Sequence, residues 1–220
     1  MGKRIIAQRR GRGSPTYTIP KKRLDIRIAY RDVGGRVVDI INDPLRNPPV
    51  IKVAYDDNQT GYLIAPHGIS VNDRVDFVKP LSSIPIGSKI FGIETYPNSG
   101  PKMCRSAGSF AIVLSKTKDK CVIQLPSRKK KELNINCRAS IGMPAGDGFK
   151  EKPLIKAGKK WHIMHARGKL YPRTSGSAMN AVDHPFGGST KPGKAKTVSR
   201  HAPPGRKVGS ISSKRTGKKK

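Results

Sequence analysis

Residues 109–142 read SFAIVLSKTKDKCVIQLPSRKKKELNINCRASIG, and this stretch decides the fold. It holds four short apolar runs, at 109–115, 121–125, 132–136 and 139–142. None of them sustains a helical period over three turns, and each is bounded by polar or turn-forming residues, which is how short strands read. Working outward, the same texture covers residues 35–145. Further runs lie at 37–41, 50–55, 62–65, 75–78 and 89–93. Between 35 and 145, Ile and Val outnumber Leu by 22 to 6, and β-branched side chains suit a pleated surface. Nine short strands in so little chain predict a mainly β fold of small antiparallel barrels.

The charge draws the domain map. The chain has 220 residues and a formal net charge of +31. By segment, 1–34 carries +8, 35–100 carries −1, 101–145 carries +8 and 146–220 carries +16. Ile, Leu, Val and Phe make up 31 of the 111 residues in 35–145 but only 10 of the 75 in 146–220. A segment so poor in apolar residues and so highly charged cannot bury enough surface to offset its chain entropy, so the last third is expected to fold only partly alone. The charge step near residue 98 falls in a Pro/Gly-rich stretch and is the natural place to divide two modules. The resulting map is a basic arm at 1–34, a first barrel at 35–98, a second at 99–160, and a short helix with an extended tail at 161–220. The helix is expected at about 159–167.

Such a field predicts a polyanionic partner, and an enzyme for small neutral metabolites has no use for it. No apolar run of about 18 residues offers a membrane span, and the amino terminus lacks a signal peptide's apolar stretch. The three cysteines, at 104, 121 and 137, form no CxxC pair, which fits a reduced cytosolic protein and small core residues. His162 and His165 are three apart, but four zinc ligands cannot be assembled around them, so no metal and no cofactor are expected. Trp161, the only tryptophan, lies among lysines in KAGKKWHIMHARGKLYP. It either stacks on unpaired bases or anchors its segment to a barrel, and the anchor is the favoured reading. The run Arg128-Lys129-Lys130-Lys131 reads as a hairpin tip, either solvated or gripping phosphate.

The sharpest local feature is Asp183-His184-Pro185-Phe186-Gly187-Gly188. A carboxylate beside an imidazole invites an acid–base reading. No nucleophile elbow, phosphate loop or second carboxylate cluster accompanies it, so the Pro and Gly residues are read as fixing a tight backbone path and Asp183 as neutralising local charge.

Several blocks, in order, resemble the ribosomal protein L-two family of the large subunit in its archaeal form. They are GKRIIAQRRGRGS at 2–14, VDIINDP at 38–44, KPLIKAGKKWHIMHARG at 152–168, AMNAVDHPFGG at 178–188 and HAPPGRKVGSISSKRTG at 201–217. Bacterial members carry His where this chain has Phe186. The resemblance implies an OB-like barrel, then an SH3-like barrel, then a tail that threads into ribosomal RNA. It implies a structural constituent of the large subunit, cytoplasmic in the ribosome, that binds 23S-type rRNA. It also implies contact with neighbouring ribosomal proteins, association with the small subunit across the intersubunit face, and support of tRNA placement. His184 is then tied to the peptidyl-transferase region without being a catalyst of this chain.

The residues expected to hold rRNA come from the arm and the tail. In the arm they are Lys3, Arg4, Arg9, Arg10 and Arg12. Around the helix they are Lys156, Lys159, Lys160, Trp161 and Arg167. In the tail they are Arg173, Asn180, His184, Lys194, Lys196, Arg200, Arg206, Lys207, Lys214 and Arg215. The rival readings are a DNA-compacting architectural protein and an RNA-acting enzyme using Asp183 and His184.

Overall fold

A computed structural model describes residues 2–18, 26–149, 151–188 and 195–214. The chain forms two compact units, Arg23–Pro153 and a second made of Met1–Lys22 with Leu154–Lys220.

The first unit contains nine strands, and eight of them fall on the expected runs; the ninth, Val78–Pro80, shares only Val78 with the run expected at 75–78. Strands β1 (Gly35–Ile41), β2 (Val50–Tyr55) and β3 (Thr60–Ile64) form an antiparallel meander. A bulge between Val37 and Asp39 re-phases β1. Gly35 lets β1 close on β2, since a Cβ there would meet the Ala54 carbonyl oxygen at 2.7 Å. The sheet closes through Val37 N–H donating to Asp73 O and Val75 N–H to Gly35 O. Its core is Tyr30, Val37, Ile51, Val53, Tyr55, Leu63 and Ala65.

The second module is a six-stranded antiparallel sheet of β4 (Val78–Pro80), β5 (Lys89–Phe91), β6 (Ala111–Lys116), β7 (Lys120–Gln124), β8 (Lys130–Asn134) and β9 (Arg138–Ile141), in the order β4-β9-β5-β6-β7-β8. Alternate residues point inward, as the pleat requires: Ala111 and Val113 on β6, Cys121 and Ile123 on β7. Leu81, Ile84, Ile90 and Ile93 complete this core. Residues 128–131 do sit where β7 turns into β8, with Arg128 in the turn at φ +64.

The division expected near 98 is therefore displaced. The second module begins at Val78, because the strand 78–80 joins the second sheet and Leu81, Ile84, Ile90 and Ile93 pack into the second core, although the Val78 side chain itself packs against the first. The Pro/Gly-rich stretch is a loop of that module and not a linker. Its Asn98 and Gly100 N–H groups donate to the buried Glu94 carboxylate, at 3.2 and 2.9 Å. The first barrel also starts earlier than 35, since Ile26 and Tyr30 are buried in this unit.

Polar groups tie the two modules together. Tyr30 donates to Gly92 O at 2.6 Å and shares a 2.8 Å bond with Ser140 Oγ; burial raises its pKa above the ordinary tyrosine value. Arg138 bonds Glu94 Oε1 at 3.1 Å and Asp32 Oδ1 at 2.6 Å. Burial works to lower its pKa, but the two carboxylates outweigh it and the net shift is upward.

Cys121 and Cys137 lie in the second core, Cys104 packs against it, and all three thiols are free. Burial lifts Cys104 from an ordinary 9.0 to about 11 and also raises Cys121 and Cys137. At pH 8 the Cys104 thiolate fraction is about a hundredfold below that of an unperturbed thiol, and the thiolate is the nucleophile. The native protein is accordingly expected to resist iodoacetamide at pH 8, with all three thiols reacting once it is unfolded in guanidinium. Fast alkylation of the native chain would contradict this packing.

Candidate nucleic-acid interface

The second unit is made of the arm and the tail. Its regular structure is sparse: α1 (Ile6–Gly11), α2 (Ala157–Ala166), 3-10 turns at Pro15–Tyr17 and Gly176–Ala178, and the two-residue parallel strands β10 (Thr197–Val198) and β11 (Ser210–Ile211). The expected helix is present, two residues earlier at its start. The tail is not a separate extended strand. Lys3 N–H donates to Val182 O at 2.8 Å, and Gly205 lies against the Gln8 side chain. Yet only Ile5 and Gly187 are fully buried among its described residues, and neither α helix has a buried residue. Backbone bonds and turns hold this unit more than an apolar core does.

Asp183 is the unit's single acidic residue. The cations around it are nearly all exposed. Lys3, Arg4, Arg9, Arg10 and Arg12 in the arm face solvent, as do Lys156, Lys159 and Lys160 at α2. In the tail Arg173, Asn180, Lys196, Arg200, Arg206, Lys207 and Lys214 are likewise exposed, while Arg167 and His184 are half-buried. Lys194 and Arg215 lie outside the described residues. α1 begins where Gln8 Oε1 accepts the Ile5 N–H at 3.0 Å, and it presents Arg9 and Arg10 in its last turn. Like charges held this closely on exposed backbone need an anionic partner.

The block around His184 is a tight loop. Asp183 and His184 N–H both donate to Asn180 O, Gly187 N–H to His184 O and Gly188 N–H to Met179 O. Gly187 must be glycine, because a Cβ would collide with the carbonyls of Met179 and Asn180. Gly176 likewise gives its Cβ space to the His184 ring. His184 Nδ1 accepts the Phe186 N–H at 3.1 Å, which leaves Nε2 as the protonated nitrogen of the neutral ring. Asp183 pairs instead with Lys3 at 3.8 Å, across exposed side chains. The acid–base pair is therefore not assembled: the imidazole nitrogen that would be oriented is already bonded to backbone.

His184 and Phe186, 5.0 Å apart between ring centres, border a hollow of about 520 Å³. Ile5, Val208 and Ile211 give it apolar walls, and Arg173, Lys196 and Lys207 give it cations. The closing turn is shaped by β10 and β11, with Ser210 N–H donating to Lys196 O.

Trp161 is 43% exposed and so is no core anchor. Its ring neighbours are His165, stacked at 4.9 Å and 14°, and His162, edge-on at 4.9 Å. Sequence reasoning passed over His165 as a partner of Trp161, although the i, i+4 spacing on a helix places them on one face. It also passed over Gly176, for which no local signal exists. Among the described residues no group of three or more His, Cys, Asp or Glu is placed to hold a metal, and no helix is long and apolar enough to cross a membrane.

Comparison with known proteins matches two family models. Residues 4–77 match "Ribosomal Proteins L2, RNA binding N-terminal domain" and residues 75–207 match "Ribosomal Proteins L2, C-terminal domain". The chain is 46% identical to a protein of Methanothermobacter thermautotrophicus named "Large ribosomal subunit protein uL2", with the whole of both chains covered. It is 46% identical to the like-named protein of Methanocaldococcus jannaschii, again over the whole of both. To that of Natronomonas pharaonis it is 44% identical, over 99% of this chain and 97% of the other.

Proposed function

Because this chain belongs to the ribosomal protein L2 family, it is a structural constituent of the large ribosomal subunit rather than an enzyme, and we propose that its arm-and-tail unit is the part that holds rRNA. In this family setting the two modules are an OB-like barrel followed by an SH3-like barrel, and the chain belongs in the cytoplasmic ribosome. The observation that carries the reading is the pairing of one acid with exposed cations on a unit that buries almost nothing of its own. Phosphates supply the missing negative charge, and RNA surface supplies the missing burial.

The holding residues in this reading are Lys3, Arg4, Arg9, Arg10 and Arg12 of the arm, Lys156, Lys159, Lys160, Trp161 and Arg167 around α2, and Arg173, Asn180, Lys196, Arg200, Arg206, Lys207 and Lys214 in the tail, together with Lys194 and Arg215 of the sequence. The rRNA is of the 23S type. Neighbouring ribosomal proteins and, across the intersubunit face, the small subunit complete the partners, and tRNA placement depends on that assembly. His184 shapes the peptidyl-transferase region through its backbone-bonded ring, with the reaction left to RNA.

Cosedimentation with large subunits in moderate salt tests this reading. Stoichiometric recovery with the subunit is expected; preference for duplex DNA would overturn it. His184→Ala is expected to lower peptide-bond formation in reconstituted ribosomes, while the free protein shows none. Activity from free protein would sink the structural role.

A further inference from the structure

Another cleft of this unit lies at α2. It encloses about 380 Å³ and is lined by Pro15, Thr16, Trp161, His165, Leu170 and Tyr171, with Lys169 beside them. α2 buries no residue, yet it displays the chain's only tryptophan, and it does so in a fixed pose. The indole is stacked on the His165 ring, which takes one of its faces, and His162 meets it edge-on. Pro15, Thr16, Leu170 and Tyr171 complete the lining. The Lys160 ammonium sits 5.2 Å from the centre of the Tyr171 ring.

The cleft is built on a glycine. Gly168 has φ +61, and a Cβ there would sit 3.2 Å from Thr18 O and 3.3 Å from Tyr17 O. A side chain there would be strained by the backbone angle and would press on the arm at Tyr17 and Thr18.

Flat aromatic faces, an apolar floor and lysines without a nearby acid suit one chemistry: a planar apolar ring that hangs from an anion. Proteins that bind unpaired strands combine aromatic platforms with cations in this way. A base inside a duplex is already stacked and hydrogen-bonded, so it cannot enter. Resting on the rRNA-holding reading above, we infer that this cleft takes one unpaired nucleobase of an RNA strand, stacked on Trp161, with the adjoining phosphate paired to Lys160 or Lys169.

Because Trp161 is the only tryptophan, the full chain's tryptophan emission, excited at a wavelength that tyrosine does not absorb, reads this cleft alone. The probes are an unstructured single-stranded RNA oligonucleotide, an abasic ribose-phosphate strand of equal length, and an RNA duplex of equal charge. All three are expected to bind by charge, as read by anisotropy of a label on the strand, and only the base-bearing single strand is expected to quench Trp161. Trp161→Ala is expected to weaken that strand about tenfold, in line with stacking on one aromatic, and to leave the abasic strand within about twofold. Trp161→Phe is expected to recover most of the loss. With no buried residue on α2, the alanine variant removes a surface ring, and the wild-type quenching stands as a readout that needs no variant. Equal quenching by the abasic strand would overturn the inference. So would tight binding of the single strand with no change at Trp161, which would leave the cleft to a protein side chain. If no strand bound at all, the rRNA-holding reading would fall first and this one with it.

Discussion

Raising salt from 50 to 200 mM is expected to weaken RNA binding by this protein about 10³- to 10⁵-fold. That is the loss for a protein that neutralises about six to ten phosphates, each of which releases a condensed counterion. The exposed cations of the arm and tail are numerous enough for that many contacts, and Asp183 alone opposes them. The first barrel, at −2 over 35–77, is expected to contribute little to the slope. Replacing Arg9, Arg10 and Arg12 together with alanine is expected to flatten the slope of log K against log salt by about two to three, whatever the RNA sequence. α1 has no buried residue, so the triple substitution removes charge with little loss of structure. A slope unchanged by the triple variant would place the contacts elsewhere.

Glu94→Ala is expected to cost about 3–5 kcal/mol of stability, the usual penalty for removing one partner of a buried ion pair. A domain is stable by only about 5–15 kcal/mol, so the variant sits near the edge of folding. Glu94 is wholly buried and serves four donors: the Arg138 guanidinium and the backbone N–H groups of Arg138, Asn98 and Gly100. Alanine leaves all of them without their acceptor, at about 1–3 kcal/mol for a buried unsatisfied group. Asp32 does not substitute, since its side chain is 80% exposed and its pair with Arg138 is worth little. Urea unfolding followed by far-UV circular dichroism measures the loss, while Trp161 fluorescence follows the other unit as an internal control. In the double variant with Arg138→Met the losses are expected to be less than additive, because the orphaned charge is gone. A loss below about 1 kcal/mol for Glu94→Ala would mean that water replaces the carboxylate.

Strands β6 to β9 were legible because their apolar runs are short and bounded by turn residues. The boundary between the modules was not legible for a related reason. Runs on both sides of residue 78 are equally rich in Ile and Val, so composition does not say which core each one joins. Charge pointed to residue 98 instead, where a turn organised by one buried glutamate resembles a linker. Glu94 itself carries no signal, since burial of a carboxylate depends on donors distant in sequence. The interface divides in the same way. Its cations were plain from composition, and the loop at 183–188 was readable as a constrained backbone path. The partner of His184 Nδ1 was not, because it is a main-chain N–H. Trp161 was misjudged as a core anchor because a lone aromatic near a barrel reads as core until its exposure is known. The union of arm and tail left no trace in the pattern, because the Lys3 to Val182 bond is made by backbone, which every residue carries.

That union sets an order on biosynthesis. The arm is synthesised before the tail, and its partner in the turn at Val182 follows 179 residues after Lys3. At about 5–20 residues per second that delay is roughly 9–36 s. Both barrels fit inside that interval, since their chain is complete by Pro153. For those seconds the arm lacks its backbone partner, while its five cations face solvent before and after the union alike and so are open to RNA throughout.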